Sequence, residues 1–87
     1  MKSKMTTNDN GDIKWKNYKG QLHREDGPAF EDKGGYKSWW INGEKHREDG
    51  PAVEWNDVKG WFLNNNQYTE QEYKYIIRYR KLKELLK

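Results

Sequence analysis

The residues best equipped for chemistry stand together, and they do so twice. His23, Arg24, Glu25 and Asp26 open the heptad His23-Arg24-Glu25-Asp26-Gly27-Pro28-Ala29. The same seven residues return as His46-Arg47-Glu48-Asp49-Gly50-Pro51-Ala52, 23 positions further on. Imidazole, guanidinium and carboxylate are the groups of general acid–base catalysis. His23, His46, Asp26 and Asp49 are also metal-ligand types, but ligands must converge within about 2.0–2.2 Å of one ion. Successive repeats point equivalent side chains the same way and set them side by side. An active site is asymmetric, whereas this motif is duplicated whole. Duplication is the mark of a structural unit. Asp and Gly would make a turn, and His and Arg would tie it to neighbouring strands. The heptads therefore predict no enzyme, no cofactor and no metal.

The elements around the heptads repeat with them. Tyr36-Lys37-Ser38-Trp39-Trp40-Ile41-Asn42-Gly43 precedes the second heptad, and Val58-Lys59-Gly60-Trp61-Phe62-Leu63-Asn64-Asn65 follows it with the same pattern. Ile13 to Gly20 is a weaker, more polar version. Asn42-Gly43 and Asn64-Asn65 suit the positive φ angles of type I′ hairpin turns, and Lys19-Gly20 is a poorer candidate. Asp26-Gly27-Pro28 and Asp49-Gly50-Pro51 read as second turns, with Gly27 and Gly50 expected at positive φ. Lys33-Gly34-Gly35 and Asn56-Asp57 read as third turns. Short strands and frequent turns predict an antiparallel meander of about two and a half hairpin units over residues 13–68. Residues 1–12 are polar and aperiodic and read as a flexible leader.

Tyr68 stands where a third heptad would begin, and Thr69-Glu70-Gln71-Glu72 follows. Thr with Glu three residues on is a capping box, so residues 69–87 predict a basic amphipathic helix. At 100° per residue, Tyr73, Ile76 and Ile77 share one side. Tyr75, Tyr79, Leu82 and Leu86 share nearly the opposite one. The first stripe lies nearest the last strand and is expected to dock on it, leaving the second outside.

Composition narrows the class. Eighty-seven residues allow one domain. Such a chain buries only roughly 60–65% of the surface it exposes when unfolded, so its core is thin. Five Trp and six Tyr supply that core in place of aliphatic residues. There is no cysteine, which excludes disulfides and thiolate metal sites and fits a reducing, cytoplasmic compartment. No apolar run is long enough for a membrane span, so no membrane partner is expected. The net charge of +3 is uneven. Lys74, Arg78, Arg80, Lys81, Lys83 and Lys87 face a single Glu in the last fourteen residues, while acids outnumber cations before them. An acidic partner for that end follows.

The stretch Trp40-Ile41-Asn42-Gly43-Glu44-Lys45-His46 resembles the core of a MORN repeat. The heptad, and the run from Thr69 to Tyr73, are similar to repeats in small proteins of tailed bacteriophages and giant viruses. Ordinary MORN repeats lack Arg-Glu-Asp-Gly-Pro-Ala after the His. The resemblance implies a twisted single-layer β-meander used for partner binding, with no shared enzymatic activity. It suggests an anti-defence factor that binds and inhibits a host protein in the host cytoplasm.

The expected architecture is thus mainly β with a C-terminal helix. Tyr75, Arg78, Tyr79, Lys81 and Leu82 on the helix, with Trp39 and Trp61 on the sheet, are the candidate partner-binding residues. The apolar surface predicts a homodimer or higher homo-oligomer. The alternative is an RNA-binding protein using Lys74, Arg78, Arg80, Lys81, Lys83 and Lys87 beside aromatic rings able to stack on bases.

Overall fold

The computed structural model describes residues 3–87. Among these residues nine strands precede one helix. They are β1 Lys4–Thr7, β2 Ile13–Lys16, β3 Phe30–Glu31, β4 Lys37–Ser38, β5 Trp40–Ile41, β6 Glu44–Lys45, β7 Val53–Trp55, β8 Val58–Leu63 and β9 Asn66–Tyr68, followed by α1 Glu70–Leu85. Seven strands form one sheet in the order β1-β2-β3-β4-β7-β8-β9, and β5 with β6 makes a separate hairpin. All the pairings are antiparallel. The fold is the expected β-meander with a C-terminal helix. The molecule measures 47 × 31 × 17 Å, and the short dimension leaves no room for a deep core.

The turns follow from residue type. Asn42 and Gly43 take φ of 48° and 82°, and Asn64 and Asn65 take 49° and 68°, as type I′ turns require. Lys19-Gly20 turns differently. Gly20 has φ of 80° and its N–H donates to the Asn17 carbonyl, while the Asn17 side chain accepts from the Lys19 and Gln21 N–H groups. A buried Asn at that corner does what the second positive-φ residue does elsewhere.

The predicted leader is corrected by the structure. Its first two residues lie outside the described residues, but Lys4–Thr7 forms β1, with Met5 opposite Trp15 and Thr7 opposite Ile13. The reason lies in the repeat. β4 pairs with β3 and β8 with β7, each a short strand just after a heptad. β2 has no preceding heptad, and β1 fills the vacant edge. The side chains of β1 are exposed, so backbone pairing rather than burial holds it.

The core is built by the heptads. Ala29 and Ala52 are fully buried, and Leu63 and Tyr73 are the other buried apolar residues among those described. The Ala29 N–H donates to Ser38 and its carbonyl accepts from Trp15. The Ala52 N–H donates to Gly60 and its carbonyl accepts from Trp39. Each heptad thus ends by threading an alanine between two strands, where a larger side chain would overpack.

The heptads also staple one unit to the next. His23 Nδ1 accepts from the Asn42 N–H at 2.9 Å, the Leu22 carbonyl accepts from Gly43, and the Arg24 N–H donates to Trp40. One unit later, His46 Nδ1 accepts from the Asn64 N–H at 3.0 Å, the Lys45 carbonyl accepts from Asn65, and the Arg47 N–H donates to Phe62. An Nδ1 that accepts fixes the neutral tautomer with its proton on Nε2, which points at Glu25 or Glu48. The staple closes on the next type I′ turn, so turn and heptad need one another.

The two heptad glycines divide. Gly50 takes the expected positive φ, at 159°, close to the extended region, whereas Gly27 does not. What both share is a need for space. A Cβ on either residue would sit 2.9 Å from the Cζ of Arg24 or Arg47. The arginine folds back over the glycine to reach its own aspartate and the proline carbonyl.

Candidate functional site

The groups of the heptads are spent inside the fold. Arg24 bonds Asp26 at 2.9 Å and Arg47 bonds Asp49 at 3.0 Å. Both imidazoles are engaged at both nitrogens. Among the described residues no three His, Cys, Asp or Glu are grouped to hold a metal ion.

Several aromatic rings of the sheet are capped as well. Trp15, Trp39 and Trp61 occupy equivalent places in the three units. The Arg24 guanidinium lies 4.2 Å from the centre of Trp15, and that of Arg47 lies 3.8 Å from Trp39. Such stacking is favourable by about 0.5–2 kcal/mol. The third unit has no heptad and no arginine to supply. Tyr73 takes the vacant place, its ring 5.0 Å from that of Trp61. Trp40 donates to the Ser38 hydroxyl, and the Lys45 ammonium lies 5.6 Å from the Trp40 ring and 4.9 Å from Phe62. Trp39 and Trp61, expected at a partner surface, are therefore half-buried rings each covered by a neighbour of the same chain. Adjacent strand residues do face opposite sides, but in this sheet both sides are furnished.

The helix is positioned by its cap and by Tyr73. Thr69 Oγ1 accepts from the Glu72 N–H, and the Glu72 carboxylate accepts from the Thr69 N–H, closing the capping box. Tyr73 is 3% exposed. Its hydroxyl accepts from the Gly50 N–H and donates to the Arg47 carbonyl. Burial pushes this hydroxyl above its ordinary pKa of 10.0, partly opposed by the Gly50 hydrogen bond. Ile76 and Ile77 are half-buried on the same side.

The opposite side of α1 is open. Tyr75 is 71% exposed, Tyr79 and Leu82 52% each, and Leu86, the C-cap residue that follows α1, 85%. With 3.6 residues per turn these four fall within an arc of about 60°. Tyr75 and Tyr79 stack on one another at 6.5 Å, and Lys83 lies over Tyr79. At the head of the stripe, Tyr68, Gln71, Glu72, Tyr75 and Ile76 line a shallow hollow of about 430 Å³.

The cations divide around the helix. Arg78 flanks the open stripe. Arg80, Lys81 and Lys87 line a cleft of about 1160 Å³ beneath the second half of α1, whose far wall carries Glu25, Asp26, Glu48 and Asp49, while Lys83 borders both this cleft and the stripe, with its ammonium over Tyr79. Lys81, expected beside the stripe, belongs to this cleft. Lys74 pairs with Glu70 at 2.9 Å. Among the described residues Arg78, Arg80, Lys81 and Lys83 are in no ion pair. The charge imbalance along the sequence is thus partly an internal one, a basic helix set over acidic turns. Sequence reasoning missed Tyr18, in the turn after β2, and Trp55, at the end of β7, the most exposed rings ahead of α1 among the described residues.

These features define a class of protein, a short array of heptad-stapled hairpins closed at its end by a helix with one occupied and one open face. No family model matches the chain, and no curated protein or solved structure matches it. No helix among the described residues is long and apolar enough to cross a membrane.

Proposed function

We propose that this chain is a small non-enzymatic binding protein that engages another protein through the outer face of α1. The observation that carries this reading is the open stripe of Tyr75, Tyr79, Leu82 and Leu86 on a helix whose other face is already docked. Exposed aromatic and aliphatic side chains beside unpaired cations are what interface hot spots are made from. Commitment of the heptad acids, bases and imidazoles to turns and staples supports a binding role over a catalytic one. Similarity of the repeats to those of phage and giant-virus proteins supports a host protein as the partner, inhibition as the outcome and the host cytoplasm as the place.

RNA is the competing ligand. Two features favour protein. The cations are split between the outer face and the inner cleft instead of forming one track for a phosphate backbone, and half of the stripe is leucine, which offers no ring to a base.

The test is capture of partners by the tagged chain with and without nuclease, repeated with Tyr79→Ala/Leu82→Ala. Nuclease-resistant capture that the double variant loses, with an unchanged melting temperature, is expected. Nuclease-sensitive capture that weakens steeply with salt would establish the RNA reading instead.

A further inference from the structure

The stripe has a spacing that names its partner's shape. Tyr75, Tyr79, Leu82 and Leu86 are separated by four, three and four residues. That is the d-a-d-a order of a coiled-coil seam over two heptads, a narrower pattern than the broad apolar face with which a helix docks on a sheet. The inner side of the same helix, with Tyr73, Ile76 and Ile77, lacks this order, and it is the side already docked. The seam runs for about 16 Å along the helix.

The positions flanking a seam set partner choice. Here Arg78 and Leu85 stand on one flank and Ile76 and Lys83 on the other. Of these, Arg78 and Lys83 are the charged ones, both are cations, and neither is in an ion pair. A parallel second copy of α1 would set Arg78 against Lys83, and an antiparallel one would set Arg78 against Leu85 and Lys83 against Ile76, so neither orientation supplies the cations with an acid. An acidic helix would neutralise them. The hollow between Tyr68, Tyr75 and Ile76 continues the seam past the start of the helix and suits one large apolar side chain from the partner.

Resting on the protein-binding reading above, we infer that the element recognised by α1 is an acidic amphipathic helix, laid along the Tyr75–Leu86 seam as the second strand of a short coiled coil. Its seam positions are aliphatic and its flanking positions are Glu or Asp. Arg78 and Lys83 determine its charge, and Tyr79 and Leu82, at the centre, carry most of the affinity.

Three synthetic three-heptad peptides test this with the full-length protein. One has Leu at both seam positions and Glu at the flanks. The second replaces those Glu by Lys. The third has the composition of the first in scrambled order. Fluorescence anisotropy with a labelled peptide measures binding. The Glu peptide is expected to bind and gain helicity, and the Lys and scrambled peptides to bind at least about tenfold more weakly. Tyr79→Ala/Leu82→Ala should weaken binding by at least about thirtyfold, as loss of a hot spot does. Arg78→Glu/Lys83→Glu should reverse the preference in favour of the Lys peptide. Both variants change exposed residues, and an unchanged melting temperature confirms that they fold. Equal binding of Glu and scrambled peptides would overturn the inference, as would a charge preference indifferent to Arg78 and Lys83. So would a dimer, by sedimentation, that Tyr79→Ala/Leu82→Ala dissolves. If the peptides fail but the double variant still loses nuclease-resistant partners, the acidic helix is wrong and the binding face stands. If the double variant loses nothing, both fall.

Discussion

Two copies of one heptad sit in two different surroundings, and the contrast shows which bonds belong to the motif. Both copies fold the arginine onto its own aspartate, cap a tryptophan with it, and offer Nδ1 to the next turn. These are properties of the seven residues and the hairpin beside them. What differs comes from outside. The side chain of His23 is 3% exposed and that of His46 is 13% exposed. Arg47 adds a 2.9 Å bond to Glu54. The second heptad also receives the Tyr73 hydroxyl at Gly50 and Arg47. The first junction is sealed by another repeat, and the second by a helix that reaches back over it. Repetition sets the local bonds, and the neighbour sets how much they stabilise.

The largest break in this comparison should come from Tyr73→Ala. The change removes a buried ring, its contact with Trp61 and two hydrogen bonds on the second heptad. A cost of about 3–5 kcal/mol is expected from the ring alone. For so small a domain that approaches the whole stability. Urea denaturation should show a much lower midpoint. Amide exchange on the variant in stabilising osmolyte should show early loss of protection at Gly50, with the strand amides of Trp15 and Ala29 retained longer. Simultaneous loss at both junctions would mean that the helix supports the whole array.

His23→Ala and His46→Ala should separate the two junctions next. Each deletes the acceptor for an Asn N–H at the following turn. At His23 the side chain leaves a nearly closed site, so a cavity adds to the lost bond and the cost is about 2–3 kcal/mol. At His46 water can reach the vacated place, and about 1 kcal/mol is expected. Equal melting temperatures for the two variants would show that the staple, not its burial, sets the energy.

Gly27→Ala and Gly50→Ala probe what the two copies share. An added Cβ must displace a guanidinium from its place over tryptophan, which costs about 1 kcal/mol or somewhat more in either copy. The loss should be greater at Gly50, because Arg47 also holds Glu54 and the backbone there has positive φ. Adding Arg24→Ala to Gly27→Ala should remove most of the further penalty, since the obstruction is then gone. If the two effects simply add, the glycine serves the backbone and not the arginine.

Much of this organisation was legible in the residues. The duplicated heptad announced the repeat, Asn42-Gly43 and Asn64-Asn65 announced their turns, Thr69 with Glu72 placed the helix start, and the two stripes separated its docked and open faces. What escaped were relations between positions distant in the chain. Nothing in Trp39 or Trp61 taken alone says that one is covered by an arginine eight residues on and the other by a helical tyrosine. Both gave a prediction of exposure because a single-layer sheet has two sides, and the caps that furnish the second side come from the turns. Lys81 was simply misplaced. At 100° per residue it lies about 40° from Ile77 and at least about 100° from every residue of the stripe, on the side that overlooks the acidic turns. The strand at Lys4–Thr7 left no hydrophobic pattern because backbone pairing, not burial, creates it.

The smallest effect sharpens the comparison through pH. Tyr73 is buried, and its hydroxyl donates to the Arg47 carbonyl, which only the neutral phenol can do. Its pKa in the folded protein is raised above 10.0, chiefly by burial. In the unfolded chain it titrates near the ordinary value. A group whose folded pKa is raised contributes stability that is fully present below the unfolded value and declines as pH rises through the folded one. Between pH 8 and 10 the contribution should therefore be flat. Above 10 the unfolded tyrosine loses its proton more readily than the folded one, and stability falls. Tyr73→Phe keeps the ring on Trp61 and removes the titrating group. It should be less stable than the parent at pH 8, by about 1 kcal/mol for the lost hydrogen bonds. The gap between the two urea midpoints should narrow from pH 10 upward. Every other side chain is common to the two proteins and cancels in the difference. A gap that stays constant to pH 11 would mean that the hydroxyl bridging Gly50 and Arg47 is exchanged for water without cost, and that the ring alone holds the helix over the second heptad.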